Sequence, residues 1–181
     1  MARKSKKMDC RKLSLRGKVL MPDNQRIQDQ LIFEYVSPDR TAAWKVTGAW
    51  MWPHDVEGNT SGDHQFALTG FLSTDTCRNY DGMDVEDNRE FAWIYTGFYI
   101  RADNTTEFLN PIGTPITQQR FLVDEETVIT NAIYFSGKTL SEASQAIQRE
   151  WNYLITLESM TITEQESILQ QLKGIGQDID A

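Results

Sequence analysis

The sequence predicts an all-β protein, an antiparallel β-sandwich of eight or nine strands with a short C-terminal helix. Runs of alternating apolar and polar residues recur along the chain, separated by turn-forming residues at spacings typical of sandwiches and barrels. Aromatic residues are frequent, with five Trp, six Tyr and eight Phe, and such residues favour strands. The sequence contains no glycine-rich nucleotide-binding motif and no alternation of strands with helices, which disfavours α/β folds.

The predicted strands follow one another between polar connections. The first alternates clearly, with Leu13, Leu15 and Val19 opposite its charged residues. The fifth is the strongest prediction, because it is dense in aromatic and β-branched side chains. The predicted strands are Arg11–Leu20, Ile27–Val36, Thr41–Trp52, Gln65–Leu72, Phe91–Arg101, Gln119–Val123, Thr127–Phe135 and Trp151–Leu157.

Two segments have helical patterns. Ser141–Glu150 is polar and predicts a short or exposed helix. Thr163–Lys173 is the better candidate, because Thr163 and Glu166 have the spacing of a capping box and Gly174 follows as a helix-ending glycine. We expect the narrow apolar stripe of this helix to pack on the domain's own sheet, with docking on a neighbouring subunit as the alternative. The stripe consists of Ile168, Leu169 and Leu172.

Positive charge is concentrated at the start of the chain. Residues 1–18 hold eight Lys/Arg and one acidic residue (+7), and residues 19–181 hold ten Lys/Arg and 25 Asp/Glu (−15), which together give the net charge of −8. This asymmetry predicts a basic N-terminal arm, residues 1–18, on a single acidic domain, residues 19–181. Because neutralised phosphates release counterions, we expect the arm to bind nucleic acid without sequence preference, and the acidic body to repel it. The predicted nucleic-acid-binding residues are Arg3, Lys4, Lys6, Lys7, Arg11, Lys12, Arg16 and Lys18.

Composition excludes several other classes of protein. A chain of 181 residues with 40% hydrophobic residues is long enough for one domain with a real core. No apolar run approaches the roughly 20 residues that span a bilayer, so no membrane partner is expected. The basic start is not followed by the apolar segment of a secretory signal. The two cysteines, Cys10 and Cys77, are expected to be free thiols in a reducing compartment.

Two polar loops are candidate metal sites, and neither has a recognised ligand spacing. In Pro53–His64 oxygen-bearing side chains alternate as in a calcium loop, but the glycine and closing glutamate of an EF-hand are not in place. His54 and His64 do not have the spacing of a zinc motif either. The acidic segment Asp81–Glu90 either chelates a divalent ion between subunits or forms a solvated tip. We interpret both loops as solvated and predict no metal or cofactor.

Catalytic motifs are equally scarce, and we predict that the protein is not an enzyme. There is no nucleophile elbow, and neither cysteine has a recognisable catalytic context. Trp50 and Trp52 share one face of a predicted strand, which is the arrangement of a stacking platform for bases or sugars. The alternative, which we favour, is that these tryptophans fill the core of the sandwich.

A basic arm leading into an acidic body of eight or nine strands resembles the single jelly-roll capsid proteins of small icosahedral viruses. The resemblance covers the whole chain, as organisation and not through a motif, and the C-terminal helix is not a standard feature of that family. It implies a jelly-roll sandwich, self-assembly of many copies into a shell, location in the virion, nucleic acid against the arm, and other virion proteins as further partners. The alternatives are a small binding module, such as a phage tail or decoration protein or a carbohydrate-binding sandwich, and a metal-dependent enzyme built on Pro53–His64.

Overall fold

A computed structural model describes residues 11–22, 25–36, 41–54, 64–77, 83–100, 106–109, 119–141 and 149–177. Within these ranges the chain forms ten strands and one helix. They are β1 (Lys12–Met21), β2 (Arg26–Glu34), β3 (Ala42–Pro53), β4 (His64–Ser73), β5 (Glu90–Ile100), β6 (Thr106–Leu109), β7 (Leu122–Val123), β8 (Val128–Ile129), β9 (Ala132–Ser141), β10 (Arg149–Thr161) and α1 (Glu164–Gln177).

The strands form two antiparallel sheets, which confirms the prediction of an all-β sandwich. Sheet A has the order β1-β10-β3-β8, and sheet B has the order β2-β9-β4-β5-β6, with β7 also paired to β5. Successive long strands alternate between the sheets until β4 and β5, which are neighbours in sheet B. On either side of this hairpin the strands pair in mirrored order: β3 with β8, β2 with β9, and β1 with β10. The two short strands β6 and β7 lie in the connection between β5 and β8.

Period-two patterning explains how each sheet contributes to the core. Along β1 the side chains of Lys12, Ser14, Arg16, Lys18 and Leu20 are exposed, while those between them point inward. The inward faces of the two sheets meet in one cluster of buried side chains. Its members include Val19, Met21, Val46, Ala49, Met51, Leu68, Leu72, Phe91, Ile94, Ile133, Phe135, Trp151, Ile155 and Leu157.

Phe135 shows how closely this core is packed. Its ring lies beside two glycines that pair with each other, Gly137 on its own strand β9 and Gly70 on the neighbouring strand β4. A Cβ added at Gly70 or Gly137 would lie only 2.9 Å or 2.6 Å from the ring. Glycine is therefore required at both positions, because any larger residue would displace the phenylalanine.

One predicted strand is in fact two. The segment Thr127–Phe135 reads as a single run, but β8 pairs with β3 in sheet A whereas β9 pairs with β2 and β4 in sheet B. The chain changes sheet at residues 130–131, where the carbonyl of Asn131 accepts a hydrogen bond from the Tyr35 amide at 2.7 Å. Both strands are apolar, so local patterning did not reveal the crossing.

One predicted helix is contradicted at both of its ends, and one short strand was not predicted. Ser141 ends β9, and Arg149 and Glu150 begin β10, so the ends of the predicted helix Ser141–Glu150 are strand; residues 142–148 lie outside the described part. The short strand β6 was missed, because four residues carry too little periodicity to recognise.

The C-terminal helix begins as predicted and ends later. The Glu166 carboxylate accepts hydrogen bonds from the Thr163 amide at 2.7 Å and from its hydroxyl at 3.0 Å, and the Glu166 amide donates to the Thr163 hydroxyl at 3.2 Å. This confirms the capping box. The helix continues past Gly174 to Gln177, because a glycine inside a helix costs only about 0.5–1 kcal/mol and does not force an end.

The apolar stripe of α1 does not pack on the domain's own sheet. Ile168, Leu169 and Leu172 are 50%, 59% and 55% exposed, so the favoured prediction was wrong. Ile162, which precedes the helix, and Ser167 are buried.

We expect Phe135→Ala to lower the free energy of unfolding by about 3–5 kcal/mol, because it leaves a cavity between two glycine-lined strands. Chemical denaturation monitored by tryptophan fluorescence measures this. Leu122→Ala is the matched control, since Leu122 is 74% exposed and its loss should change stability by less than about 0.5 kcal/mol. Equal effects of the two substitutions would contradict the packing described above.

Candidate nucleic-acid interface

Half of the predicted basic residues lie on the sandwich itself. Arg3, Lys4, Lys6 and Lys7 lie outside the described residues, whereas Arg11 directly precedes β1 and Lys12, Arg16 and Lys18 are exposed on it. The expected boundary between arm and body at Lys18 therefore falls inside a strand that pairs with β10 over its whole length. The basic character of the arm thus continues onto the outer face of sheet A.

The register of sheet A places these cations in line with two tryptophans. Arg16 is opposite Leu154, which is opposite Trp50; Lys18 is opposite Asn152, which is opposite Trp52. Residues directly opposite one another share a face of the sheet. We call this surface the Trp50/Trp52 face, and it consists of Arg16, Lys18, Trp50, Trp52, Arg120, Asn152 and Leu154.

Trp50 and Trp52 are partly exposed, so the favoured expectation that they fill the core was wrong. Their side chains alternate with Met51 and Pro53, which are buried on the inner face. By contrast Trp151 is fully buried, and Trp44 packs against the core. The prediction that Trp50 and Trp52 share one strand face is confirmed.

Trp50 is held in a defined position. Its ring leans along β3 over Gly48, where a Cβ would clash with the benzene end of the indole. The guanidinium of Arg120 lies over the ring, 5.7 Å from its centroid. An isolated antiparallel bridge between Trp50 and Arg120, together with the hydrogen bond from the Phe121 amide to the Ala49 carbonyl at 2.9 Å, positions this arginine.

Arg120 was missed in the sequence because it lies about 70 residues from Trp50 and carries no local pattern. A cation over an exposed tryptophan is stabilised by about 0.5–1 kcal/mol. Such a weak interaction orients the guanidinium, but a stronger partner can replace it.

At one end of the Trp50/Trp52 face, Lys18 joins a small polar cluster. Its ammonium donates to the Glu150 carboxylate at 2.9 Å and to the Nε2 of His54 at 3.0 Å. The hydrogen bond and charge of Lys18 lower the pKa of Glu150. Because the pair is about half exposed, it is screened by salt and can exchange for another anion.

This cluster is relevant to the candidate metal site in Pro53–His64. The Nε2 lone pair of His54 faces a cation, which disfavours a metal ion there. Residues 55–63 lie outside the described part, and for His64 only the backbone at the start of β4 is described. Among the described residues, no three His, Cys, Asp or Glu side chains come together as a group that could hold a metal.

The acidic segment Asp81–Glu90 is not simply a solvated tip. Residues 78–82 lie outside the described part and residues 83–86 and 88 are exposed, but Arg89 and Glu90 are buried. Phe71, Cys77 and Trp93 form a second apolar cluster on the outer side of sheet B. Arg89 is buried and donates to Asp87 at 2.7 Å and to the Thr76 carbonyl at 3.3 Å. Burial would raise the pKa of Asp87, but the hydrogen bonds and charge of Arg89 outweigh this and lower it.

Glu90 is the unusual group in this connection. The residue is only 6% exposed. Its Oε2 accepts hydrogen bonds from the Trp93 indole at 2.7 Å and from the Asp84 amide at 2.9 Å. Burial raises the pKa of Glu90 to about 7, assisted by the charges of Asp87 and Asp84. The spacing Glu90 to Trp93 is visible in the sequence, but its burial is not.

Strand β2 also contacts the connection between β4 and β5, through Asp29. Asp29 has a φ of 54° at an irregularity between β2 and β9. Its amide donates to the Ser136 hydroxyl at 3.0 Å, and its carboxylate accepts from the Cys77 amide at 2.9 Å. Burial raises the pKa of the Cys77 thiol to about 12, so this cysteine stays protonated and is a poor nucleophile at neutral pH.

Comparison with known proteins adds no identification: no protein-family model matches the sequence, and no curated protein is significantly similar to it. Among the described residues, no helix has the length and apolar character needed to cross a membrane.

The raised pKa of Glu90 predicts a pH-dependent stability. Below about pH 4.5 the carboxyl is protonated in both the folded and the unfolded chain; between about 4.5 and 7 only the unfolded chain ionises. The free energy of unfolding should therefore fall as the pH rises from 5 to 7.5, by about 2 kcal/mol from this group. Chemical denaturation at both pH values measures the difference.

Glu90→Gln keeps an acceptor for Trp93 and Asp84 but cannot ionise, so it should remove most of that difference. Glu125→Gln changes an exposed turn residue and should leave it unchanged. The other ionisable groups are the same in the variant and in the unaltered chain. Their contribution to the pH dependence of the free energy of unfolding therefore cancels when the two are compared. An unaltered pH dependence in Glu90→Gln would show that Glu90 is not the group responsible.

Proposed function

We propose that this protein is a self-assembling shell subunit of a virion, built as a jelly roll, with its basic N-terminal segment facing packaged nucleic acid. The observation that carries the proposal is the mirrored pairing of the strands together with the basic face of the first one. The pairing supports the jelly roll of a shell subunit, and the basic face supports an orientation toward nucleic acid.

The mirrored pairing supports a jelly roll. Without the short insertions β6 and β7, eight strands remain, and each pairs with its counterpart across the β4–β5 hairpin. This is the pattern of one long antiparallel ribbon, folded at β4–β5 and rolled so that alternate strands fall in opposite sheets. Jelly rolls have this eight-strand, two-sheet Greek-key form, and viral capsid proteins are among the proteins that use it.

The charge distribution supports the orientation of the subunit toward nucleic acid. Residues 1–18 carry a charge of +7 and the remainder −15. β1, which directly follows this segment in the chain and carries its last cations, is at one end of the strand order of sheet A. In a shell of sixty copies residues 1–18 would contribute on the order of +420, which is sufficient to neutralise many phosphates.

Exposed apolar side chains support contacts between subunits. The three stripe residues of α1 are at least half exposed, and three further apolar residues are more exposed. Apolar groups of this size are stabilised when a neighbouring copy removes them from water. The remaining exposed apolar side chains include Val36, Val85 and Leu122.

The second candidate is a small binding module, and the partly exposed Trp50 and Trp52 are the observation that favours it. Such a module would present the tryptophans to a sugar or similar ligand as a discrete species of one to three chains. The oligomeric state therefore separates the two functions.

We expect the full-length chain to elute from a size-exclusion column as a particle of about 1.2 MDa for sixty copies of 20.8 kDa. Light scattering gives the mass, and absorbance at 260 and 280 nm gives the nucleic-acid content. Deleting residues 1–10 removes four cations and one acid, a net charge of +3, and leaves β1 intact. This variant should carry much less nucleic acid.

The control replaces Arg3, Lys4, Lys6 and Lys7 by Gln, which removes charge but keeps the length of the arm. It should lose nucleic acid like the deletion if charge is what matters. A full-length chain that is only a monomer, dimer or trimer without nucleic acid would refute self-assembly into a shell and leave the binding module.

A further inference from the structure

We propose that the Trp50/Trp52 face is a binding site for single-stranded nucleic acid, with bases stacking on the tryptophans and phosphates paired to Arg16, Lys18 and Arg120. This deepens the proposed function, on which it rests in part, because it gives the enclosed nucleic acid a site on the sandwich in addition to the arm. It departs from the expectation that the acidic body as a whole repels nucleic acid.

The spacing of the face suits this ligand. Trp50 and Trp52 are two residues apart on β3, hence about 7 Å, and point the same way. The cations of β1 lie two strand spacings from β3, about 10 Å across the sheet. A base on a tryptophan therefore places its sugar over β10, where Leu154 and Asn152 lie, and its phosphate within reach of the long side chain of Arg16 or Lys18.

The local charge differs from that of the whole domain. The cations are concentrated along the rows that contain the tryptophans, and the acidic residues of β10 lie nearer the two ends. Phosphates are therefore expected to follow the middle of the face, beside Arg16 and Arg120. The cations of this outer face are Lys12, Arg16, Lys18, Lys45 and Arg120, and the acids of β10 are Glu150 and Glu158.

The position of Arg120 fits a site that exchanges partners. Its guanidinium covers the Trp50 ring in the absence of a base. Because base stacking on an aromatic ring is stronger than an exposed cation–π contact, a base displaces the guanidinium. The displaced arginine stays beside the stacked nucleotide, where it can pair with phosphate.

The strand must be single because stacking on a protein ring needs an unpaired base. A duplex presents only its backbone to a flat sheet, so it gains the charge interaction and not the stacking. Proteins that bind single strands without sequence preference combine these elements, a cationic track and aromatic platforms.

The experiment measures binding of a fluorescein-labelled oligo(dT) 20-mer to the full-length chain, freed of nucleic acid in high salt, by anisotropy. Trp50→Ala and Trp52→Ala should each weaken binding roughly 5- to 100-fold, the range expected for the loss of one stacked base. The matched control is Tyr95→Ala, which removes a 53% exposed aromatic residue from sheet B and should leave the affinity unchanged. Binding of the duplex of the same length should not depend on either tryptophan.

Photocrosslinking separates stacking from a structural effect. An oligo(dT) containing 5-iodouracil should crosslink to Trp50 or Trp52, as located by peptide mass spectrometry, and Arg120→Ala should weaken binding without abolishing the crosslink. Unchanged affinity in both tryptophan variants, or crosslinks confined to residues 1–10, would overturn the proposal. The proposal would also be overturned if a neutral oligosaccharide, and not the oligonucleotide, quenched the tryptophan fluorescence.

The particle mass distinguishes failure of the proposed binding site from failure of the proposed shell function. If the chain forms no shell but the tryptophan-dependent crosslink is present, the site stands and the shell does not. If shells form normally with the tryptophan variants and these bind oligo(dT) like the unaltered chain, the shell stands and the site does not.

Discussion

The antiparallel pairing of β10 with both β1 and β3 is the constraint on which sheet A depends. This strand of 13 residues lies between β1 and β3 in the sheet, and every residue with which it pairs is 98 or more positions earlier in the chain. On the inner side it contributes Trp151, Ile155 and Leu157 to the core. On the outer side the same register aligns Arg16 with Trp50 and Lys18 with Trp52. A shift of one residue would exchange the two faces, placing charge in the core and apolar side chains in water.

Sheet B is organised around the connection between β4 and β5. Arg89 satisfies Asp87 and the Thr76 carbonyl, while Asp29 on β2 holds the amide of Cys77. These interactions cover Phe71 and Trp93 and leave Glu90 among apolar and acidic neighbours. The part of the connection around Arg89 and Glu90 is therefore packed, and its stability is expected to depend on pH, whereas residues 83–86 are exposed.

Both functional proposals depend on the uneven distribution of charge in the chain. The segment before β1 and the outer face of sheet A collect cations, while the acidic residues dominate elsewhere. Such a division orients a subunit with respect to nucleic acid, since the basic side is attracted and the acidic side is repelled. The exposed apolar stripe of α1 is a separate surface, available to a neighbouring copy.

The sequence by itself determined the all-β class, most of the long strands, the capping box of α1 and the shared face of Trp50 and Trp52. These features depend on local periodicity and on residues three or fewer positions apart, so they are readable without the fold. Tertiary structure alone decided that Thr127–Phe135 divides between two sheets, that Glu90 is buried, and that the α1 stripe is exposed. It also decided that Arg120 lies over Trp50 and that the basic strand faces the same side as the tryptophans. The physical reason is that strand pairing joins residues far apart in the chain, and no local pattern specifies which strands become neighbours or in which register.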